Sequence, residues 1–178
     1  MKSVMRDPLI IITIFLLPLA GVISYYDVRY RRIPNAFVLA TLAAGLLTNA
    51  IYGGIGGALA SLGGCALAFF LMFMLHIFGA MGAGDVKLFA SIGALLGASL
   101  VLPTFFVIVL TGGVLACFSM VRAGAVRSTL HNVLLVLVGL VPGWKMPRFA
   151  VPVDRRHTIP YGVAICFGSL ISLAIFRA

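Results

Sequence analysis

The chain has 178 residues, of which 62% are hydrophobic and 10% are charged, and its mean hydropathy is +1.19. Soluble domains carry about 25% charged residues, so the composition excludes an ordinary soluble domain and predicts an all-α integral membrane protein. The net charge of +9 then indicates basic loops that face the cytoplasm and anionic lipid headgroups, and we expect no nucleic-acid partner.

The first apolar run covers residues 9–25 and follows two basic residues, Lys2 and Arg6. A signal peptide has a similar start, but no convincing cleavage site follows this run. We therefore expect a retained span. A polar segment at residues 27–35 comes next, and Pro34 suits the first turn of a new helix.

The apolar runs predict about six spans within a single membrane-embedded domain, residues 1–178. The predicted spans are residues 9–25, 36–52, 57–79, 86–97, 98–121 and 158–176. Glycines at residues 53–57 predict the turn between the second and third spans.

A shorter apolar island at residues 133–144 decides the predicted topology. Its 12 residues make about 18 Å of helix, against about 30 Å of hydrocarbon. The island can cross the membrane only if flanking residues lengthen its helix. We therefore favour an interfacial or re-entrant helix within the basic segment 122–157. Ten Lys and Arg residues then lie on one side and three on the other. The excess predicts a cytoplasmic side for the ten and places both termini outside.

Three cysteines, Cys65, Cys117 and Cys166, lie far apart and form no CxxC pair. This spacing disfavours a zinc site and a disulfide framework. We expect neither a metal nor a cofactor.

Acidic residues are scarce: the chain has four, all of them aspartate. Asp85 ends a GxGD motif at residues 82–85, and Asp27 ends the first predicted span. The predicted topology brings both to the cytoplasmic edge of the membrane. By contrast, Asp7 lies on the outer side, and Asp154 stands in a basic run where a solvated ion pair is expected.

Two neighbouring carboxylates are suited to peptide hydrolysis, because one is pushed to hold a proton while the other stays ionised. The ionised group activates a water and the protonated group polarises the peptide carbonyl. Gly82 and Gly84 would let an extended substrate backbone approach. Lys87 would tune the pKa of Asp85, bind an acidic substrate group, or serve only as a snorkelling anchor of the topology. The alternatives are that Asp85 caps a helix and that Asp27 pairs with nearby arginines.

These residues resemble the type IV prepilin peptidases, which are GxGD membrane aspartic proteases. The resemblance rests on Asp27 with Arg29 and the Ile-Pro-Asn at residues 33–35, on residues 82–87, and on Ile-Pro-Tyr-Gly at residues 159–162. It implies catalytic roles for Asp27 and Asp85, and a place for Pro160 and Tyr161 in the site.

The resemblance further implies a multi-pass enzyme of the bacterial inner membrane. Its substrates would be prepilin or pseudopilin precursors, cut at the cytoplasmic face after a short basic leader that ends in glycine. Larger members also N-methylate the product and carry an insert with CxxC pairs. That insert is missing after Asp27, so we expect no methylation. The short form is similar to the peptidases of tight-adherence (Flp pilus) systems.

Two other functions stay open at this stage. A small transporter or a pilus-assembly subunit would use the aspartates for ion coupling, although transporters usually place such residues near the midplane. A presenilin-like intramembrane protease shares the Tyr26-Asp27 and GxGD features but has a Pro-Ala-Leu motif that this chain lacks.

Overall fold

The structure is a computed structural model that describes residues 8–77, 81–122, 124 and 161–176. Within these ranges the chain is helical and contains no strand. The helices are α1 (Pro8–Tyr30), α2 (Asn35–Ile77), α3 (Ala83–Leu96), α4 (Ala98–Arg122) and α5 (Tyr161–Phe176).

The chain forms two compact units. The first comprises residues 1–112 and 160–178, and the second comprises residues 113–159. Of the second unit, the structure describes the end of α4 and a turn in which the Gly124 N–H donates to the Val121 carbonyl, 3.1 Å away. The predicted island at residues 133–144 lies outside the described residues, as does most of the basic segment 122–157.

Three helices of the described part are long and apolar enough to cross a membrane: α1 from Ile12, α2 and α4. Helix α3 has 14 residues and α5 has 16. They are therefore about 21 and 24 Å long, less than the roughly 30 Å hydrocarbon thickness. The all-α class is confirmed for the described residues. The count of six spans and the external termini stay predictions.

Helix α2 contains a break at the predicted glycine turn. Its 43 residues would extend about 65 Å as one straight helix, roughly twice the hydrocarbon thickness. Gly54 interrupts it with φ 58° and ψ −143°, a backbone conformation that side chains disfavour. A Cβ on Gly57 would overlap the Asn49 carbonyl, so the two arms of α2 approach closely beside the break.

Helix α1 extends beyond the predicted first span, which ends at residue 25. Helix α1 continues to Tyr30, because no helix-breaking residue intervenes before the Ile33-Pro34 pair. Asp27 therefore lies inside the last turn of α1 rather than after the helix.

Helix α3 begins at Ala83, three residues before the predicted start, and ends one residue before Gly97, close to the predicted boundary. Both arms of α2 pack against it. Ser61 Oγ donates to the Ala94 carbonyl at 2.7 Å, and Asn49 Nδ2 donates to the same oxygen at 2.9 Å. These two bonds satisfy a carbonyl in the last turn of α3, where helical partners are missing.

Residues 86 and 88–96 of α3 are all buried, whereas α1, α2 and α4 expose many large apolar side chains, among them Ile14, Ile55 and Leu110. A helix bundle in a bilayer has such a surface, because lipid tails replace water around it. The packing therefore fixes α3 in the interior, and Asp85 lies at its first turn.

Candidate active site

Asp27 is the most buried charged residue in the described part of the chain, with 7% of its surface exposed. It lies in the last turn of α1 and faces the start of α5. Its Oδ2 accepts a hydrogen bond from the Gly162 N–H at 2.8 Å. A helix N-terminus has unpaired N–H groups and a partial positive charge. The start of α5 therefore holds the Asp27 carboxylate in place and favours its negative charge.

Asp85 occupies a similar position at the start of α3. Gly82 is the N-cap and Asp85 is the third helical residue. The Asp85 Oδ2 accepts the Gly82 N–H at 3.2 Å. The alternative interpretation made Asp85 the N-cap of this helix, and Gly82 holds that position instead. Asp85 still accepts the N–H of the N-cap residue from the third helical position, which is one half of a capping box.

One cavity of about 340 Å³ contains both aspartates. Its lining residues come from the end of α1, the connection to α2, the first residue of α2 and the start of α3: Asp27, Arg31, Arg32, Ile33, Asn35, Gly82, Ala83, Gly84, Asp85 and Lys87. The sequence separates the two carboxylates by more than 50 residues, and the fold brings them to a single opening.

Among the other predicted site residues, Gly82, Gly84 and Lys87 also line this cavity. Tyr161 does not, although it lies next to Gly162; its ring packs near Gly112 of α4, where an added Cβ would be 3.6 Å from Cε1. Pro160 lies outside the described residues.

Sequence reasoning gave no role to Gly162. A Cβ at this position would lie 2.8 Å from the Asp27 Oδ2, so the contact requires glycine. The only sequence signal was its place in the Ile-Pro-Tyr-Gly motif. The contributions of Arg31 and Asn35 to the cavity wall were also not predicted.

The connection before α3 is braced by a histidine. His76 Nδ1 lies 2.8 Å from the Met81 carbonyl oxygen. A ring nitrogen that carries a proton can donate this bond. His76 therefore anchors the residue immediately before Gly82 and does not face the cavity.

The pKa of Asp85 is raised from 3.8 to about 6: burial is the main cause, the Asp27 charge adds to it, and the Gly82 hydrogen bond partly opposes both. Asp85 lies outside the three candidate spans. A carboxyl group with this pKa holds its proton in weakly acidic solution, where a free aspartate would be ionised.

The raised pKa of Asp85 makes the stability of the protein depend on pH in a definite direction. The folded protein binds the Asp85 proton more tightly than the unfolded chain, so the free energy of unfolding falls as pH rises from about 4 through about 6. Thermal unfolding in detergent from pH 4 to 7 should show a steeper loss of stability for the native protein than for Asp85→Asn. Parallel pH dependences of the two proteins would contradict the raised pKa.

Comparison with known proteins identifies a family for this chain. The chain matches the type IV leader peptidase family over residues 14–117, a segment that contains Asp27 and Asp85. It is 28% identical over 154 residues to a prepilin leader peptidase/N-methyltransferase of Bacillus subtilis (strain 168).

That alignment covers 85% of this chain and 50% of the relative, so the chain spans about half the length of the curated relative it matches. No solved structure matches the chain. Because the family match covers more than half of the 178 residues, this chain belongs to the type IV leader peptidase family.

Proposed function

We propose that this protein is a membrane aspartic endopeptidase that removes the leader peptide from type IV prepilins or pseudopilins. The observation that carries the proposal is the single cavity with two aspartates, each of which accepts an N–H at the start of a helix. Membership of the leader peptidase family supplies the substrate class. The cavity supplies a pair of groups able to hydrolyse a peptide bond.

The reaction uses one proton shared by Asp27 and Asp85. The ionised carboxylate takes a proton from a water, and the water oxygen bonds to the scissile carbonyl carbon. The protonated carboxyl gives its proton to the carbonyl oxygen, so that a neutral diol forms. When the diol collapses, the C–N bond breaks and the carboxyl that took the water proton gives it to the amine nitrogen. The other carboxylate takes a proton from a diol hydroxyl, so the pair again holds one proton and the products are a carboxylic acid and an amine.

The glycines beside Asp85 suit an extended substrate. Gly82 and Ala83 are exposed and line the cavity with Gly84, so only one small methyl group projects along this edge. A substrate backbone could approach Asp85 here without displacing a large side chain. The rest of the proposal follows the predicted topology: the site faces the cytoplasm, at the inner membrane of a bacterium.

A transporter that couples ions through the two aspartates is less well supported. Asp27 lies in the last turn of α1 and Asp85 in the first turn of α3. Coupling residues of transporters typically lie near the middle of the membrane. The position of both groups at helix ends, next to glycines, favours the peptidase.

The function is tested with the full-length chain, purified in detergent and mixed with a synthetic precursor peptide. The peptide carries a basic leader, a glycine at the cut, and the apolar helix of a mature pilin. Mass spectrometry should show two products from cleavage after the glycine. With S-adenosylmethionine present, the new amino terminus should remain unmethylated. The Bacillus subtilis relative serves as the positive control, and no cleavage by this chain under conditions where the control cuts would refute the proposal.

A further inference from the structure

Arg31 has an unusual backbone conformation at the edge of the cavity. Its φ of 53° is the only positive φ of a non-glycine residue in the part of the chain that the structure describes. An L side chain in this region crowds the following carbonyl, and glycine is the usual residue at such a position after a helix. An arginine in this place is therefore a strained choice.

The strained residue closes the helical turn that carries Asp27. The Arg31 N–H donates to the Asp27 carbonyl at 3.1 Å, which is the hydrogen bond of a helix that ends in a left-handed residue. Glycine could make the same bond without strain. The backbone alone does not account for the arginine, so its side chain requires a separate explanation.

Arg31 lines the same cavity as the two aspartates, and the positive charge of its side chain is close enough to act on the Asp27 carboxylate. A nearby guanidinium favours the ionised form of a carboxylate. Asp27 also accepts the Gly162 N–H at 2.8 Å, whereas Asp85 accepts the Gly82 N–H at the longer distance of 3.2 Å. The surroundings of the two carboxylates are therefore unequal.

We propose that Arg31 is a positioning residue that keeps Asp27 as the ionised member of the pair and leaves the shared proton on Asp85. The inference rests on the proposed function. Asp27 then takes the proton of the attacking water, and Asp85 gives its proton to the carbonyl oxygen. Strain at the end of α1 is retained because glycine would leave the cavity without this charge.

Other titratable groups lie near the pair, two in the cavity wall and two within electrostatic range, and all remain in every variant used below. They are Lys87 of α3, Arg32 of the α1–α2 connection, and Tyr161 and Cys166 of α5. A change confined to the Arg31 variants can thus be attributed to Arg31.

The test compares Arg31→Gly, Arg31→Gln and Arg31→Lys with Arg29→Ala, using cleavage of the precursor peptide by the full-length protein between pH 4 and 8. Arg29 is a matched control, because it is an exposed arginine in the last turn of the same helix and does not line the cavity.

We expect Arg31→Gly to unfold at the same temperature as the native protein or at a higher one, since glycine relieves the strain. We also expect kcat/KM to fall at least about tenfold in Arg31→Gly and Arg31→Gln. The acidic limb of the pH profile should move to higher pH in both, because ionisation of the base without the guanidinium requires a higher pH. Arg31→Lys should restore most of the native profile, and Arg29→Ala should leave it unchanged.

An unshifted acidic limb in both Arg31→Gly and Arg31→Gln would overturn the inference, as would an equal shift in Arg29→Ala. Activity that merely follows melting temperature across the variants would assign Arg31 a structural role and would also overturn it. If Arg31→Gly fails to fold, the comparison of Arg31→Gln with Arg31→Lys decides. Full activity of Asp27→Asn, by contrast, would refute the aspartic mechanism itself, whatever the Arg31 variants do.

Discussion

Replacement of either Asp27 or Asp85 by asparagine is expected to lower kcat for leader cleavage by at least about 10³-fold. Proton transfer by a positioned side chain contributes about 10²–10⁴-fold to an enzymatic rate. Asparagine has nearly the size of aspartate, but it can neither take a proton from water nor hold one for the carbonyl oxygen. Cleavage of the precursor peptide, followed over hours by mass spectrometry, measures the loss.

Both variants should remain folded. An asparagine at position 27 retains an oxygen that can accept the Gly162 N–H, which Asp27 now binds at 2.8 Å. An asparagine at position 85 removes a carboxyl whose ionisation is disfavoured by burial, so its stability near neutral pH should be equal or greater. Asp154→Asn is the control, since the sequence places Asp154 beside two arginines, and its activity should match that of the native protein.

A variant that lacks both carboxylates tests whether they act as one unit. If the two carboxylates work as a single proton-sharing unit, Asp27→Asn combined with Asp85→Asn should be no slower than the slower single variant. If the two carboxylates contributed independently, the rate losses of the two single variants would instead multiply. Full leader cleavage by either single variant would refute the two-aspartate mechanism.

The parts of the fold that the sequence predicted well depend on local chemistry. The break at Gly54 and the boundary at Gly97 lie where glycines interrupt apolar runs. The candidate pair, Asp27 and Asp85, was identified because a carboxylate close to hydrocarbon is costly, about 2.5–3.5 kcal/mol at the centre of a membrane helix. The chain has only four acidic residues, so few carboxylates had to be considered as candidates.

The parts that the sequence did not predict depend on tertiary contacts or on conformations that local preference disfavours. Gly162 contacts Asp27 across 135 positions of sequence, and no local pattern encodes that approach. Arg31 adopts a conformation in which glycine would be expected. The predicted first span ends at residue 25 because hydropathy falls there, yet α1 continues to Tyr30 through polar residues. A helix can continue into the polar boundary of a membrane, so a fall in hydropathy does not mark its end.

Replacement of Gly162 by alanine is expected to lower kcat about 10²-fold, because the contact between α5 and Asp27 leaves no room for a methyl group. The added Cβ would lie 2.8 Å from Oδ2 and 3.0 Å from Cγ of Asp27, distances that require the carboxylate to move. A displacement of about 1 Å in a reacting group can reduce a rate about 10²-fold. Overpacking should also destabilise the protein by about 1–3 kcal/mol, so the rate is measured below the melting temperature of the variant.

Gly21→Ala is the matched control on α1. Nothing lies within 4 Å of a Cβ at Gly21, so alanine should leave cleavage unchanged and stabilise the helix by about 0.5–1 kcal/mol. The contact can be isolated further by combining Gly162→Ala with Asp27→Asn. If the alanine acts by displacing the Asp27 carboxylate, it should cause little further loss in a protein that already lacks that carboxylate. Native activity in Gly162→Ala, or a full additional 10²-fold loss in the double variant, would show that Gly162 does not act through Asp27.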